Sequence, residues 1–305
     1  MKKVKKVAIY LPYYEKSAKK KRGFLTRTEV KKVETILKAN PEIKFLGNVN
    51  FKSIEVNNGK FFCGNIDLGR ADLFFWYAPG MRKFSKELRA LSKTTKIIKS
   101  PKSYEVVADK FLAHSILKKK GSPVADFALL NYDDLKRMRG LVKKWKILLI
   151  KHVRGSFGRG IIRVRDFETL RDIAGYLKME HGQEKIYVER FYKNDTGNWI
   201  STTLIGGKVV YGYRKKKKKF AGWKVYDIRA RGGDAYYADP APVKKYAEKA
   251  ARVLDKSIVG FDFIKTREGY KIVDENNFPG FYPEVFKASR KDVSELIANL
   301  ILKNI

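Results

Sequence analysis

Two segments near the C-terminus decide the fold: Val259-Gly260-Phe261-Asp262-Phe263-Ile264 and Tyr270-Lys271-Ile272-Val273-Asp274-Glu275-Asn276-Asn277-Phe278-Pro279-Gly280. We interpret them as two strands of a hairpin that turns at Glu268-Gly269. Side chains two residues apart share one face of a strand, so Asp274 lies with Asn276, and Asp262 can lie opposite them. Such a set of oxygen donors needs a hard cation, for which Mg²⁺ is suited. A solvated strand end paired with nearby lysines is the alternative.

A glycine-rich loop, Gly155-Ser156-Phe157-Gly158-Arg159-Gly160, lies earlier in the chain between a strand at 146–153 and a strand at 161–164. Its backbone amides can bind an anion closely. Dinucleotide-binding and Walker loops lead from a strand into a helix, whereas this loop joins two strands. Protein kinases use a similar flap, but no His-Arg-Asp or Asp-Phe-Gly motif follows. The loop predicts an anion-binding turn, with an ordinary hairpin turn as the alternative.

The rest of the pattern is mixed. The first hundred residues alternate strands (3–10, 72–77, 96–98) with helices (28–39 and a short one capped by Ser85), which predicts a small α/β layer domain. One amphipathic helix is predicted from Tyr104 to Lys120. A strand at 126–130 follows this helix. From residue 146 the pattern predicts an antiparallel-rich α+β arrangement, with a helix capped by Asp166, strands at 185–191, 199–205 and 208–214, and helices at 241–255 and 292–303.

Composition narrows the class of protein. The single cysteine, Cys63, excludes an internal disulfide framework and a cysteine-based zinc site, and we expect it in the core. No run of eighteen apolar residues is present, so we expect no membrane span and a cytoplasmic location.

The charge is unusual, because 67 Lys and Arg against 32 Asp and Glu give a net charge of +35. This field favours an anionic substrate, a nucleic acid or an acidic protein as partner, although lysine enrichment of a heat-adapted surface is the alternative. We predict that the run Lys215 to Lys219 faces the cleft and helps to select an anionic acceptor; a solvated loop is the usual alternative.

The ordered set of motifs resembles the ATP-grasp superfamily, in particular its ribosomal-protein glutamate ligase-like and spore-coat-associated branches, from about Ser100 to Phe286. Lys110 and Lys151 match the family's phosphate-binding lysines, and the glycine loop matches its flap. The resemblance implies that Glu189-Arg190-Phe191-Tyr192 is the linker that holds adenine, and that Asp195 is a ribose contact. It also implies that Arg229-Ala230-Arg231-Gly232-Gly233 is the family's Arg-Gly-Gly loop, and that the metal ligands are Asp262, Asp274 and Asn276.

The resemblance implies an ATP-grasp fold that mixes α+β and α/β parts. We expect an N-terminal α/β pre-ATP-grasp domain at 1–100, a lid subdomain with the flap at 101–189, and a large subdomain with the metal site at 190–305. ATP and Mg²⁺ are the implied cofactors, with two ions expected and Mn²⁺ as a substitute.

The implied reaction joins a carboxylate to an amine through an acylphosphate. Arg231, with Arg229 or Arg214 as alternatives, would contact the transferring phosphoryl oxygens. Two alternatives are a kinase that phosphorylates a hydroxyl of a polyanionic acceptor, such as an inositol phosphate or RNA, and a non-catalytic protein that binds RNA or an acidic protein. The sequence identifies neither the acceptor nor the oligomeric state.

The sequence departs from the family's pattern at two places. Asn198-Trp199-Ile200-Ser201 stands where the family often has Asp-Ile-Arg, and Asp274 stands where the family usually has glutamate. Glu275 is therefore an alternative metal ligand, which strand parity disfavours. We expect His114 and His152 to be structural, because no base or metal cluster surrounds them in the motifs.

Overall fold

A parallel four-stranded sheet begins the chain in the computed structural model, which describes residues 3–13, 25–155, 160–181, 185–193, 198–215 and 235–305. In chain order its region contains β1 (Lys5–Tyr10), α1 (Arg27–Ala39), β2 (Ile43–Asn48), β3 (Glu55–Asn57), β4 (Lys60–Cys63), β5 (Ile66–Asp67), β6 (Leu73–Trp76), α2 (Ser85–Leu91) and β7 (Lys96–Ile98). The sheet has the order β2-β1-β6-β7, and β3-β4-β5 form a separate antiparallel sheet. The predicted α/β layer is confirmed, whereas the small sheet was not predicted.

Two local predictions in this region have clear outcomes. Cys63 is buried, as predicted, and burial raises the pKa of its thiol to about 11. The prediction that Ser85 caps a helix is wrong, because Ser85 is the first helical residue and Phe84 precedes it without a side-chain cap. A 3₁₀ turn at Met81–Phe84 leads directly into α2, so no capping side chain is required there.

The single helix predicted from Tyr104 to Lys120 is two helices, α3 (Pro101–Val107) and α4 (Lys110–Lys119). Asp109 has an extended backbone, and its carboxylate accepts a hydrogen bond from the Leu112 amide. This N-cap ends one helix and starts the next. The break places Lys110 at the first turn of α4.

The second sheet is antiparallel and has the order β10-β9-β11-β8. Its elements are β8 (Phe127–Asn131), α5 (Leu135–Trp145), β9 (Leu148–Ile150), β10 (Ile162–Val164), α6 (Phe167–His181) and β11 (Lys185–Arg190). The strands on either side of the glycine loop pair as predicted, with Ile162 opposite Ile150, although both are shorter than predicted. Asp166 accepts a hydrogen bond from the Thr169 amide, as its predicted capping role requires. Helix α5 was not predicted.

The third sheet has the order β14-β13-β12-β15-β16 and is antiparallel. It contains β12 (Ile200–Ile205), β13 (Lys208–Lys215), β14 (Ala235–Ala238), α7 (Ala241–Leu254), β15 (Ile258–Thr266) and β16 (Gly269–Asn276), followed by α8 (Pro283–Ser289) and α9 (Val293–Leu302). Every strand predicted in this half is present, whereas β14 and α8 were not predicted.

The third sheet is covered on both faces. One face shares a core with the first sheet and α9, and the other shares a core with α4 and α7. Lys99, which follows β7, donates to Asp255 at 3.1 Å and to the Ile258 carbonyl at 2.7 Å, and the Tyr77 hydroxyl donates to the Pro279 carbonyl at 2.6 Å. The first sheet thus holds the chain that follows β16 in place.

Within the described ranges, no helix is long and apolar enough to cross a membrane. The domain boundaries at residues 100 and 189 stay predictions.

Candidate functional site

The β15–β16 hairpin brings the predicted oxygen donors together. Asp262 lies directly opposite Asp274, and Asn276 lies opposite Gly260. Asp262 is 5% exposed, so its carboxylate is almost removed from water. A Cβ at Gly260 would lie 2.7 Å from the Thr202 carbonyl oxygen and from Cβ of Pro279, which explains glycine opposite Asn276. The juxtaposition predicted from strand parity is confirmed.

A β-bulge lies beside these carboxylates. Asp262 pairs with Asp274 but Phe263 pairs with Ile272, so Val273 has no partner residue on β15. The Val273 carbonyl accepts a hydrogen bond from Lys151 Nζ at 3.0 Å. The bulge therefore connects the hairpin to the second sheet.

Lys110 joins the hairpin to the glycine loop. Its ammonium group forms an ion pair with Asp274 and donates to the Gly155 carbonyl at 3.2 Å. Burial alone would lower the pKa of Lys110, but the negative charges of Asp274, Glu275 and Glu189 raise it above its ordinary value. The pKa of Asp274 is lowered: burial opposes this, and Lys110 and Lys151 outweigh burial. Both groups are therefore charged at neutral pH.

A second lysine, Lys215, forms an ion pair with the other carboxylate, Asp262. Lys215 Nζ lies 2.8 Å from Asp262 Oδ2, and the Ser201 hydroxyl donates to Asp262 Oδ1 at 2.6 Å. Burial would lower the pKa of Lys215, but Asp262 raises it above its ordinary value. Lys215 belongs to the basic run predicted to face the cleft, and the other members, Lys216 to Lys219, lie outside the described residues.

A chain of buried polar groups leads away from Lys151. Lys151 forms an ion pair with Glu189, whose other carboxylate oxygen accepts from the Tyr187 hydroxyl at 2.9 Å. The Tyr187 oxygen lies 2.8 Å from His114 Nδ1, and His114 Nε2 lies 2.9 Å from Glu275 Oε1. These five side chains form the buried relay. It connects β11 of the second sheet, through α4, to β16 between Asp274 and Asn276.

The carboxylates of Glu275 and Glu189 lie beside His114, so the premise that no base surrounds this histidine is wrong, whereas its expected structural role stays a prediction. Burial would lower the pKa of His114, but Glu275 and then Glu189 raise it above 6.5. Glu275 faces this imidazole and lies opposite Phe261, on the other face of the hairpin from Asp262 and Asp274. This placement agrees with the strand parity that disfavoured Glu275 as a metal ligand.

The predicted adenine linker begins at the end of β11. Its Glu189 side chain turns inward to Lys151, whereas Arg190 lies 3.5 Å from Asp126 and 3.3 Å from Glu268. The Tyr192 hydroxyl donates to Asp126 at 2.8 Å, and the Arg190 guanidinium lies over the Tyr192 ring. Asp126 thus holds the side chains of both Arg190 and Tyr192.

An apolar cluster lies beside the linker and includes Ala125, Tyr192 and Ile264, with Trp199 and Val273 packed against it. The Trp199 indole N–H is buried and has no hydrogen-bond partner within the described residues. A planar, mainly apolar group that presents one acceptor would suit this surface. The Phe191 amide donates to the Ile147 carbonyl at 3.0 Å, which fixes the linker backbone beside β9.

Several predicted residues lie outside the described ranges: Ser156, Phe157, Gly158 and Arg159 of the flap, the ribose candidate Asp195, and the arginines Arg229 and Arg231. The two ends of the flap are described, and Gly160 has the positive φ of +67° that favours glycine. Arg214, on β13 opposite Tyr236, has a buried Nε without a hydrogen-bond partner in the part of the chain that the structure describes.

The donor set suits a hard divalent cation. Two carboxylates and an amide face one region, and the Asn276 side chain makes no hydrogen bond to another described residue. No group of three or more His, Cys, Asp or Glu side chains could hold a metal ion among the described residues. Mg²⁺ needs no such group, because it commonly takes one or two carboxylates and completes its shell with water and phosphate oxygens.

The contacts of Tyr187, His114 and Ser201 in this site, and the specific contact of Lys215, were not predicted from the sequence. Helical spacing could have pointed to His114, since it lies four residues after Lys110 and thus one turn along the same face of α4. Tyr187 and Glu189 are two apart on a strand and share a face for the same reason. The partner Glu275 lies 161 positions beyond His114, a separation that no local pattern encodes.

The chain is similar in sequence to known proteins. The model of the RimK-like ATP-grasp domain matches residues 107–301. A probable alpha-L-glutamate ligase of Aliivibrio fischeri (strain MJ11) is 29% identical over 199 residues, which are 64% of this chain and 63% of that protein. The chain thus matches slightly less than two thirds of that curated relative's length.

Solved structures share the fold over nearly the whole chain. A RimK domain ATP-grasp protein from Sphaerobacter thermophilus DSM 20745 has a TM-score of 0.65 at 14% identity, and the match covers 97% of this chain and 98% of that chain. An ATP-grasp ligase complexed with a minimal precursor, Mg and ADP has a TM-score of 0.61 at 15% identity, with coverage of 98% and 97%. The predicted fold, with its mixed α+β content, is confirmed.

Proposed function

The chain belongs to the RimK-like ATP-grasp family, and on this premise we propose that it is an ATP-dependent ligase that joins a carboxylate to an amine. One observation carries the proposal: Lys110 contacts both the hairpin with the oxygen donors and the end of the glycine loop. A nucleotide whose phosphates lie between these two regions would meet Lys110, Lys151 and the carboxylates at once. The ligase names of curated relatives support this chemistry.

The proposed reaction has two steps. An oxygen of the substrate carboxylate attacks the γ-phosphorus of ATP, the bond to the β–γ bridging oxygen breaks, and ADP leaves. The amine nitrogen then attacks the acyl carbon, phosphate leaves with the bonding electron pair, and the nitrogen loses a proton. The protein mainly positions the reactants and neutralises charge in both steps.

Each charged side chain then has an expected place. Lys110 and Lys151 would hold phosphate oxygens, and Asp262, Asp274 and Asn276 would hold metal. Members of the family use ATP with Mg²⁺; we propose two ions here, with Mn²⁺ as a working substitute. Bound Mg²⁺ supplies positive charge to the transferring phosphoryl group. Arg214, whose Nε is buried without a partner among the described atoms, is the described candidate for a phosphoryl contact, beside the predicted Arg231 and Arg229.

The linker after β11 would hold the adenine ring. Its backbone is fixed beside β9, and the cluster of Tyr192, Trp199 and Ile264 presents an apolar surface next to it. The unpartnered indole N–H of Trp199 can donate to a ring nitrogen or to a ribose oxygen. With the adenine ring held there, the phosphates of the nucleotide would lie near Lys151 and the hairpin.

We propose an anionic substrate, and the outer helix of the second sheet supports this choice. Helix α5 carries five cations, Lys136, Arg137, Arg139, Lys143 and Lys144, and no acidic residue. All five are exposed, and none forms an ion pair with a described carboxylate. A face of unpaired positive charge raises the local concentration of an anionic substrate, whether a small molecule or an acidic peptide.

The test is ATP consumption with pooled acids and amines, with the mass of each product measured. We expect ADP and phosphate only when an acid and an amine are both present, and a product whose mass is the sum of the two less water. Lys151→Met should abolish this release, whereas Lys185→Met at the exposed start of β11 should leave it unchanged.

Two other results would redirect the assignment. Release of ADP without free phosphate, together with an acceptor heavier by one phosphoryl group, would establish the kinase alternative. Absence of ADP formation with every pool, together with salt-sensitive binding of RNA or an acidic protein, would establish the non-catalytic alternative.

A further inference from the structure

Both candidate metal-binding carboxylates already carry a lysine. Asp274 pairs with Lys110, and Asp262 Oδ2 lies 2.8 Å from Lys215 Nζ. The other oxygen of Asp262 accepts from Ser201 at 2.6 Å, so both of its oxygens are engaged. Each oxygen keeps a free lone pair, but a metal ion that reached Asp262 would be repelled by the positive charge of Lys215 beside it.

Burial makes this pairing necessary. Asp262 is 5% exposed, and a nearly buried carboxylate without a cation would be destabilising. Among the described residues of the three neighbouring strands, Ser201 of β12 and Lys215 of β13 contact its carboxylate, and Asp274 of β16 lies opposite, so Lys215 is the one described cation in contact with it. Lys215 is therefore the positive charge that neutralises Asp262 in the described structure.

The position of Lys215 allows its ammonium group to move away from Asp262. It is the last residue of β13, and its side chain remains 20% exposed. A lysine has a flexible stem and a point charge, so its ammonium group can move several ångströms to another anion at little conformational cost. A nucleotide would bring such anions, namely its phosphate oxygens, to the same region.

We propose that Lys215 is a resident counter-ion that excludes divalent metal from Asp262 until a nucleotide binds, and then transfers to a phosphate oxygen. The site consequently loads metal and nucleotide together, and metal alone binds weakly. This inference rests on the proposed nucleotide site and adds to it a residue and an order of binding. Lys110 would undergo the same exchange at Asp274, where it already serves as a phosphate-binding candidate.

The direct test is Mn²⁺ binding to the nucleotide-free protein, measured from the electron paramagnetic resonance signal of free Mn²⁺. We expect weak binding to the wild type and at least about tenfold tighter binding to Lys215→Met, because a competing cation has been removed next to the ligand. Lys208→Met, at the exposed start of the same strand, makes the same charge change and should match the wild type. Equal or weaker binding by Lys215→Met would overturn the proposal.

A second variant and a second readout guard against misfolding. Lys215→Arg keeps the cation and should retain the weak metal binding of the wild type. In chelator, Lys215→Met should unfold at a lower temperature than the wild type, and Mn²⁺ should raise its midpoint more than that of the wild type. An Lys215→Met midpoint that does not respond to Mn²⁺ would contradict the counter-ion role, since a merely structural lysine leaves no site for the metal to fill.

A parallel titration with a non-hydrolysable ATP analogue separates this inference from the proposed function. If the wild type binds Mn²⁺ tightly once the analogue is present, the proposed nucleotide site is supported. If the analogue binds but the Lys215→Met variant does not differ from the wild type with metal alone, only the counter-ion inference fails. If the wild type binds no analogue, the proposed function fails, and the metal-alone comparison still decides the role of Lys215.

Discussion

Replacing His114 by leucine tests the buried relay, which connects the second sheet to the metal-side hairpin. The substitution removes the imidazole but retains an apolar side chain of similar volume. Glu275 is then left without its cation in a place where both side chains are 0% exposed. Solvent cannot screen a charge at this depth, so the loss should be large.

The expected magnitude follows from the two contacts. Removing one partner of a buried ion pair costs about 3–5 kcal/mol, and the lost contact with the Tyr187 hydroxyl adds about 1 kcal/mol. At roughly 2–4 °C per kcal/mol, a total loss of about 4–6 kcal/mol lowers the unfolding midpoint by about 8–24 °C. The double variant His114→Leu/Glu275→Leu replaces the pair by apolar groups and should lie within about 1 kcal/mol of the wild type.

The assay is a double-mutant cycle of urea unfolding at fixed pH and in chelator, with His114→Leu, Glu275→Leu and the double variant. We expect a coupling free energy of at least about 3 kcal/mol between the two residues. Lys178→Met, which breaks the exposed pair with Asp133, is the control and should leave the midpoint unchanged. A coupling energy near zero, or a double variant as unstable as the single ones, would refute the reasoning.

The same cycle has a pH dependence with a defined sign. Burial alone would lower the pKa of His114, but Glu275 and Glu189 raise it by more, so the pKa in the folded protein lies above 6.5. A raised folded pKa means that the stabilisation is complete below about pH 6.5 and is lost as the pH rises through the folded value. The coupling energy should therefore fall toward alkaline pH, and a coupling energy that grows there would contradict the charged pair.

Three further predictions concern the site and its frame. Lys151→Met should lower ATP-dependent turnover by at least about 100-fold, because a phosphate contact and the contact to the hairpin are both lost; a steady-state assay against Lys185→Met checks this. Gly260→Ala should lower the free energy of unfolding in urea by about 1–3 kcal/mol, since its Cβ would lie 2.7 Å from the backbone and from Pro279. Gly140→Ala, which has open space around it in a helix, should raise that free energy by about 1 kcal/mol. Removal of divalent cations by chelator should stop ADP release while the circular dichroism spectrum stays the same, and continued release would argue against metal-dependent chemistry.

The hairpin could be predicted because its information is local. Alternation along two nearby strands is enough to place Asp262 opposite Asp274, and the turn residues set their register. The bulge at Val273 could not be predicted in this way, because it depends on how β16 packs against Lys151 and the Pro123–Val124 segment.

Other features depend on long-range contacts or on weak local signals. Helix α5 has few apolar residues in a strongly basic segment, so the helical spacing of its apolar residues is a weak signal in the sequence. The break at Asp109 has a capping signal that was overlooked within a continuous apolar pattern. The pairing of Lys215 with Asp262 spans 47 positions across two antiparallel strand pairs, which only the assembled sheet reveals.

The central claim is that Lys110, Lys151 and the hairpin carboxylates form one metal–nucleotide site, and calorimetric titration with a non-hydrolysable ATP analogue in the presence and absence of Mg²⁺ tests it most directly. For the wild type we predict that one analogue binds per chain and that Mg²⁺ strengthens its binding at least about tenfold. For Asp274→Asn we predict that Mg²⁺ changes the binding of the analogue little. Binding by Asp274→Asn that Mg²⁺ strengthens as much as in the wild type would contradict the claim.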